Sequence, residues 1–193
     1  MQAATPPDDG DKKAWRRRLR ERLRSVPDAG SQAASILRHL ELHLAALPDS
    51  RLAAFAAMPG EVDLRPLVRA SRHAWHFPRI DGDHLVFHRV SDPDDLEPDA
   101  YGIDAPRPDH PRIDVEDFDV FLVPGLGFTR DGSRLGRGKG YYDRVLTRAR
   151  PGAPLIGIAF REQLADHLPT DAHDIPVNHL LTADGLELVA PGT

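Results

Sequence analysis

The chain contains no cysteine, and this absence excludes several kinds of functional site. Without thiols the protein has no disulfide framework, no zinc–thiolate centre and no cysteine nucleophile. Any metal ion must therefore bind to carboxylates, to histidines or to the phosphates of a ligand.

Long apolar runs are also missing, because no uninterrupted apolar stretch in the 193 residues is long enough to span a bilayer. The first residues, MQAATPPDDGDKKAW, carry acids and prolines where a signal peptide requires an apolar core. We therefore expect a soluble, cytoplasmic protein that does not associate with membranes.

The length suits one domain with a full hydrophobic core, and the sequence has no internal repeat. We predict a disordered tail over residues 1–11, a single α/β domain over 12–189 and a C-terminal tail over 190–193. We expect this domain to act as a monomer on small-molecule substrates.

The spacing of apolar residues predicts helices and strands that alternate along the chain. The predicted helices cover 12–26, 36–47, a stretch from Glu61, a stretch from Tyr141 and 162–168. The predicted strands cover 51–58, 73–80, 84–90, 119–128, 154–160 and 179–182. Two of these strands flank Asp81 and Gly82 and should form a hairpin, and 92–111 should be a long surface loop. The alternation predicts an α/β fold with a mainly parallel sheet.

The first predicted helix is strongly basic, since residues 12–24 hold eight Lys or Arg and one acid, whereas acids outnumber bases elsewhere. Three interpretations remain open: an arm that binds nucleic acid or membranes, a helix that brings cations to an anionic ligand, and ordinary surface charge. An apolar stripe of Trp15, Leu19, Leu23 and Val26 favours a helix packed on the protein body. Lys12 and Arg16, the latter one turn further along, could then reach a neighbouring site.

The stretch RLGRGKGYYDRVL, residues 134–146, has glycines at three alternate positions. Gly136, Gly138 and Gly140 leave backbone N–H groups unshielded and free to adopt positive φ, which predicts a concave anion site before a helix. Arg137 and Lys139 would add charge for a polyphosphate. The spacing matches neither a Walker loop nor a dinucleotide fingerprint, and a flexible turn is the alternative.

Asp143 closes this stretch, and a carboxylate beside phosphates is repulsive unless a divalent cation lies between them. We therefore interpret Asp143 as a magnesium ligand, together with Asp174 from a loop expected at the same end of the sheet. Tyr141 and Tyr142 are either core residues or a stacking surface, and one of the two is expected in the core.

These segments resemble the 5-formyltetrahydrofolate cyclo-ligase family. The resemblance is carried by VPGLGFTRDGSRLGRGKGYYDRVL, by Lys12 and Arg16, by MPGEVDLRPLV, by FPRI and by AFREQLADHLPTDAHDIPVNHLLT. It covers nearly the whole chain in order. It implies a three-layer α/β/α architecture like that of sugar-phosphate isomerases and CoA transferases.

The resemblance also implies an ATP- and Mg²⁺-dependent ligase that converts 5-formyltetrahydrofolate to 5,10-methenyltetrahydrofolate, ADP and phosphate. In the family mechanism the formyl oxygen attacks the γ-phosphate to give an iminium phosphate, to which N10 then adds. Positioning and charge neutralisation are the protein's main contributions to phosphoryl transfer, which suits a glycine loop with Arg137 and Lys139.

Family roles carry over to matching positions only. Those implied for ATP are Lys12, Arg16, Arg134, Leu135, Gly136, Arg137, Gly138, Lys139, Gly140, Tyr141 and Tyr142. Those implied for folate are Met58, Glu61, Arg137, Gly138, Lys139, Gly140 and Tyr141. Arg137, Lys139 and Tyr141 are the implied catalytic residues, and Asp143 and Asp174 the implied magnesium ligands.

Glu61 has two competing interpretations. An acid at a helix N-terminus is favoured by the helix dipole, but a carboxylate can also accept the paired N–H donors of a pterin, and we favour this second role. One stretch departs from the family pattern, since AYGIDAP has Tyr101 near the usual position of a tryptophan and Ala105 in place of an acid.

Two rival functions remain. An RNA-binding protein would use the basic helix and the glycine loop as backbone contacts, which the acidic remainder of the chain disfavours. A divergent paralogue that binds ATP or a sugar phosphate would keep the glycine loop but lose Glu61 and the second aspartate, and both are present.

Overall fold

The computed structural model describes residues 11–189. The tails predicted at 1–11 and 190–193 lie outside this range, apart from Asp11. The Asp11 carboxylate accepts hydrogen bonds from the backbone N–H groups of Lys13 and Ala14 at 2.9 and 3.0 Å and so caps the first helix. No helix in the described range is long and apolar enough to cross a membrane.

Three α-helices and twelve β-strands make up the described chain. The helices are α1 (Lys12–Arg22), α2 (Ala29–Ala45) and α3 (Tyr141–Leu146). The strands are β1 (Arg51–Ala53), β2 (Ala74–Asp81), β3 (His84–Arg89), β4 (Glu97–Pro98), β5 (Asp104–Ala105), β6 (Arg112–Ile113), β7 (Val120–Val123), β8 (Gly127–Phe128), β9 (Arg134–Leu135), β10 (Leu155–Ile158), β11 (His179–Thr182) and β12 (Gly185–Leu188). Short 3-10 turns lie at Arg65–Leu67, Pro93–Asp95, Val115–Asp117 and Arg161–Gln163.

Eight strands form the central sheet in the order β12-β11-β10-β7-β1-β2-β3-β6. The inner pairs β2-β1, β1-β7, β7-β10 and β10-β11 are parallel, and the pairs toward the two edges are antiparallel. This arrangement confirms the predicted α/β class with a mainly parallel sheet.

Alternate residues of the inner strands divide between two cores on opposite faces of the sheet. Leu52 packs in the core that α2 covers, whereas Ala53 packs in the core that holds Val145 and Leu146 of α3. Helices therefore cover both faces and give three layers. A third, smaller cluster joins Trp15 and Leu19 of α1, and Leu23 directly after it, to Leu126, Leu135 and Leu168.

Several predicted elements are confirmed, including the β2–β3 hairpin around Gly82 and the buried strand β7. The helix predicted from Glu61 is wrong, because only Arg65–Leu67 forms a 3-10 turn. There the Asp63 carboxylate accepts the backbone N–H of Arg65, and such local bonds compete with a helix.

The strand predicted over 51–58 is too long: it ends at Ala53, although Ala54 still donates its backbone N–H to the His76 carbonyl at 2.8 Å. The helix predicted over 162–168 is also wrong. Leu164 instead forms a parallel bridge with Phe128, and Ala165 donates its backbone N–H to the Phe128 carbonyl at 3.0 Å. Both departures shape the carboxyl ends of the central strands.

Candidate active site

One large cavity opens where the sheet reverses its direction of winding. The chain runs from β1 outward to β2 and β3 and then returns to β7 on the other side of β1. Phe55 and Ala56 follow β1, Pro124 and Gly125 follow β7, and all four line a cavity of about 720 Å³. Ligands of open α/β sheets bind in this type of crevice, beyond the carboxyl ends of the strands.

The cavity has a cationic part and an apolar part. Its cations are Lys12, Arg16, Arg20, Arg134, Arg137 and Lys139, and its apolar wall includes Phe55, Met58, Pro78, Ile80, Leu85 and Ile103. The chain therefore offers one space in which an anionic group and a flat apolar group can bind side by side.

The glycine loop 136–140 joins β9 to α3 and contributes the backbone of the cationic part. Gly138 and Gly140 have φ values of 104° and 66°, which side chains rarely allow. A Cβ on Gly138 would lie 3.3 Å from the Arg16 guanidinium. Within residues 11–189, no hydrogen bond uses the backbone N–H groups of residues 137–140. These donors are therefore available to a bound anion.

Helix α1 places a row of three cations along the same cavity. Arg16 Nε donates to the Gly136 carbonyl at 3.0 Å, and Arg20 Nη2 donates to the Arg137 carbonyl at 3.3 Å. The apolar stripe of α1 packs in the third cluster, as its spacing predicts. The basic helix is therefore a packed helix that borders the cavity.

Lys12, one turn before Arg16, contacts a second loop. Its ammonium lies 2.7 Å from Asp171 Oδ2 and 2.5 Å from Asp174 Oδ2. Partial burial lowers the pKa of Lys12, but hydrogen bonds and charge from the two aspartates outweigh this effect and raise it. Helix α1 thus connects the glycine loop to the loop 171–174.

Glu61 lies at the boundary between the two parts of the cavity, and its side chain is only 4% exposed. Its Oε1 accepts hydrogen bonds from Arg137 Nε and Nη2 at 3.0 and 2.8 Å, and its Oε2 accepts the Met58 backbone N–H at 2.9 Å. Burial raises the pKa of Glu61, and the charge of Arg137 and the bond from Met58 oppose this rise only in part.

Asp143 forms an ion pair with Arg134, whose side chain is 3% exposed. We predicted a metal ion as the counter-charge of Asp143, whereas in the structure this counter-charge is the buried Arg134 guanidinium. Asp174 likewise has Lys12 as its counter-charge. Both aspartates border the cavity, as predicted.

The carboxylates of Asp143 and Asp174 fit a magnesium ion only if a bound ligand and water supply its other ligands. Among residues 11–189, no three acidic or histidine side chains lie close enough to hold a metal by themselves. Mg²⁺ usually binds one or two carboxylates together with substrate phosphates and water. Asp143 and Asp174 offer such oxygens beside the cationic part, so magnesium binding stays a prediction.

The two tyrosines after the glycine loop have different environments. Tyr141 is half-buried, and the Arg144 guanidinium lies 5.2 Å from its ring centre. Tyr142 packs against both main cores, and its hydroxyl is buried. Both line the cavity, so the expected core tyrosine is Tyr142 and it still borders the site.

Several cavity residues were missed from the sequence. Arg20 lies two turns after Lys12, and this spacing was the signal for it. Asp171 lies three positions before Asp174 in the same loop, and only the fold shows that both contact Lys12. In the stretch that departs from the family, Ala105 is buried in the apolar wall and Tyr101 lies 70% exposed at the cavity.

Fold and cavity together place the chain among α/β proteins whose ligand site lies at the carboxyl ends of a mainly parallel sheet. Residues 8–183 match the model of the 5-formyltetrahydrofolate cyclo-ligase family. The chain therefore belongs to this family of ligases.

Individual relatives agree with this assignment. The mouse 5-formyltetrahydrofolate cyclo-ligase is 28% identical over 190 residues, which cover 90% of this chain and 94% of the mouse protein. The 5,10-methenyltetrahydrofolate synthetase of Aquifex aeolicus superposes with a TM-score of 0.79 at 30% identity, over 94% of each chain. The Mycoplasma pneumoniae synthetase, at 24% identity, shares the fold with a TM-score of 0.71 over 90% of this chain and 99% of its own.

Proposed function

We propose that the protein uses ATP and Mg²⁺ to convert 5-formyltetrahydrofolate to 5,10-methenyltetrahydrofolate, with release of ADP and phosphate. One observation carries the proposal: the buried Glu61 carboxylate and the cationic glycine loop meet in one cavity. A pterin needs the first and a triphosphate needs the second. The name of the family and those of the relatives support the same reaction.

The cationic part is suited to hold the triphosphate. The free N–H groups of the glycine loop and the charges of Lys12, Arg16 and Lys139 would surround its oxygens. The oxygens of Asp143 and Asp174 would hold magnesium against the same phosphates, where the ion would neutralise charge during phosphoryl transfer.

The apolar part is suited to hold the folate. Glu61 would accept the ring N–H and the amino group of the pterin together, and the apolar wall would cover the ring. Arg137 contacts Glu61 and belongs to the glycine loop, so the formyl oxygen of a folate held there would face the γ-phosphate.

The proposed reaction has two steps. The formyl oxygen attacks the γ-phosphorus, the bond from that phosphorus to the bridging oxygen breaks, and ADP leaves. N10 next adds to the activated formyl carbon, the carbon–oxygen bond to phosphate breaks, and the N10 proton is released to solvent. Arg137 and Lys139 would neutralise the charge on the transferring phosphoryl group, with Tyr141 positioning the reacting atoms.

The test is a spectrophotometric assay of the purified protein with 5-formyltetrahydrofolate, ATP and Mg²⁺, following the near-ultraviolet band of the methenyl product. Turnover should require all three components. A protein that binds ATP yet forms no product would overturn the folate assignment and favour the divergent paralogue. Size-exclusion chromatography with light scattering would test the proposal that the active species is a monomer.

A further inference from the structure

Tyr142 carries a polar atom whose place in the structure is unexplained. Its ring packs against both main cores at the start of α3. Its hydroxyl is buried and has no hydrogen-bond partner among the residues that the structure describes. Tyr142 is also one of the residues that line the cavity. Buried hydroxyls are normally paired, so an unpaired one beside a ligand cavity indicates a partner on the ligand.

Among residues 11–189, no neighbouring group serves as that partner. The Glu61 carboxylate, whose charge acts on Tyr142, is already bonded to Arg137 and to the Met58 backbone. Burial, first, and the negative charge of Glu61, second, raise the pKa of the Tyr142 phenol. The phenol therefore stays protonated at neutral pH and can donate a hydrogen bond.

We infer that the Tyr142 hydroxyl binds the folate, by donating a hydrogen bond to the carbonyl oxygen of the pterin ring. This inference rests on the proposed function and deepens it. In the pterin, the carbonyl oxygen adjoins the ring N–H that Glu61 would accept, so one edge of the ligand satisfies both side chains. The resemblance assigns Tyr142 to ATP instead, so the two assignments predict different losses on mutation.

The position of the hydroxyl favours folate over ATP. Glu61 and Arg134 are the charged groups that act on this hydroxyl, and both have buried side chains. Glu61 affects the pKa of this hydroxyl more than Arg134 does, and the charge of Arg134 is already paired with Asp143. A triphosphate oxygen at this position would therefore meet net repulsion. A neutral pterin carbonyl meets no such repulsion.

The first test removes the hydroxyl with Tyr142→Phe and measures binding of each ligand by calorimetry. Loss of one neutral hydrogen bond should weaken 5-formyltetrahydrofolate binding roughly 3- to 10-fold. Binding of a non-hydrolysable ATP analogue should be unchanged. The melting temperature without ligand should not fall, because the free protein loses no hydrogen bond.

Ser50→Ala is the contrasting control. The Ser50 hydroxyl is also buried but donates to the Pro48 carbonyl at 2.6 Å, away from the cavity. Its removal should lower the melting temperature and leave both ligands bound as in the wild type. Unchanged folate binding in Tyr142→Phe, or weakened binding of the ATP analogue alone, would overturn the inference.

A second test uses the wild-type protein and does not depend on the folding of that variant. The chain has three tyrosines, so labelling their ring Cζ atoms with ¹³C gives three resonances. Tyr142 is assigned by elimination with Tyr101→Phe and Tyr141→Phe. Its resonance should shift when 5-formyltetrahydrofolate is added and stay in place with the ATP analogue.

The outcomes separate this inference from the proposed function. A wild-type protein that binds no folate overturns the proposed function and the inference with it. A wild-type protein that binds folate without any change at the Tyr142 resonance overturns the inference alone.

Discussion

Arg137 and Glu61 lie 76 positions apart in the chain, yet two N–H groups of the guanidinium donate to one carboxylate oxygen at 3.0 and 2.8 Å. The residue expected at the phosphates and the residue expected at the pterin therefore touch each other. A folate that bonds to Glu61 must share or displace Arg137, which would then be free to turn toward the phosphates. The contact would thus link the two halves of the proposed reaction.

Glu61→Gln should weaken 5-formyltetrahydrofolate binding about 10- to 100-fold, because hydrogen bonds to a charged group contribute about 1.5–3 kcal/mol. Binding of an ATP analogue should not weaken, since Arg137 gains freedom. Calorimetric titration with each ligand measures both effects, with the exposed Glu97→Gln as the matched control. Wild-type folate affinity in Glu61→Gln would show that the carboxylate only orders Arg137.

Lys139→Ala should lower kcat/KM for ATP by roughly 10- to 100-fold, the effect of one charge-assisted bond to phosphate. Its side chain has no ion-pair partner among residues 11–189, so its removal leaves no buried charge unpaired. The spectrophotometric assay of the methenyl product at varied ATP measures the loss. Lys13→Ala removes an equally exposed cation on α1 and should have no effect. Equal activities of the two variants would show that Lys139 has no role in the reaction.

Asp143→Asn should destabilise the ligand-free protein by about 1–3 kcal/mol, because it leaves the buried Arg134 guanidinium without its charged partner. Urea unfolding measures the change. Adding Arg134→Met should restore part of the stability, since the orphaned charge is then removed. The exposed pair of Asp184 and Arg161 provides the control Asp184→Asn, which should change stability little. Wild-type stability in Asp143→Asn would mean that the ion pair contributes nothing.

Stability should fall as the pH drops from 7.5 to 5.5. Burial lowers the pKa of four histidines below their ordinary value of 6.5: His43, His76, His88 and His179. At these four positions the unfolded chain therefore binds more protons than the native state in this range. Their stabilising contribution is complete above about pH 6.5 and is lost as the pH falls through the lowered values.

Urea unfolding at both pH values measures this effect, and two variants test its source. His43→Leu should reduce the difference between the two unfolding free energies, because it removes one histidine whose pKa is lowered. His84→Leu changes an exposed histidine and should leave the difference as in the wild type. If the unfolding free energy of the wild type did not change between these pH values, the predicted contribution of the four histidines would be wrong.

Local patterns predicted the elements that depend on local chemistry. The conformations of the glycine loop 136–140 and of β7 depend mainly on their own residues. The spacing of glycines and apolar residues was therefore enough to locate both. The stretch from Glu61 misled the same reasoning. Its apolar spacing suits a helix, but the carboxylate of Asp63 and a tertiary role for Glu61 override that preference.

Counter-charges could not be predicted, because they come from distant parts of the chain. Because Asp143 lies next to residues expected to bind phosphate, we predicted a metal ion there, and no local pattern indicated a pairing with Arg134. Likewise, Lys12 and Asp171 are 159 positions apart, and only the packing of α1 brings them together. Apart from Met58, the apolar wall was missed for the same reason, since its residues come from separate loops and strands.

The third cluster gives the protein an intrinsic optical reporter. Trp15 belongs to the same cluster as Leu135, which leads directly into the glycine loop. The other tryptophan, Trp75, is buried in the core that α2 covers. In a Trp75→Phe background, emission would come from Trp15 alone. Nucleotide binding, and any movement of the loop with it, could then be followed in real time by stopped-flow fluorescence, without a label.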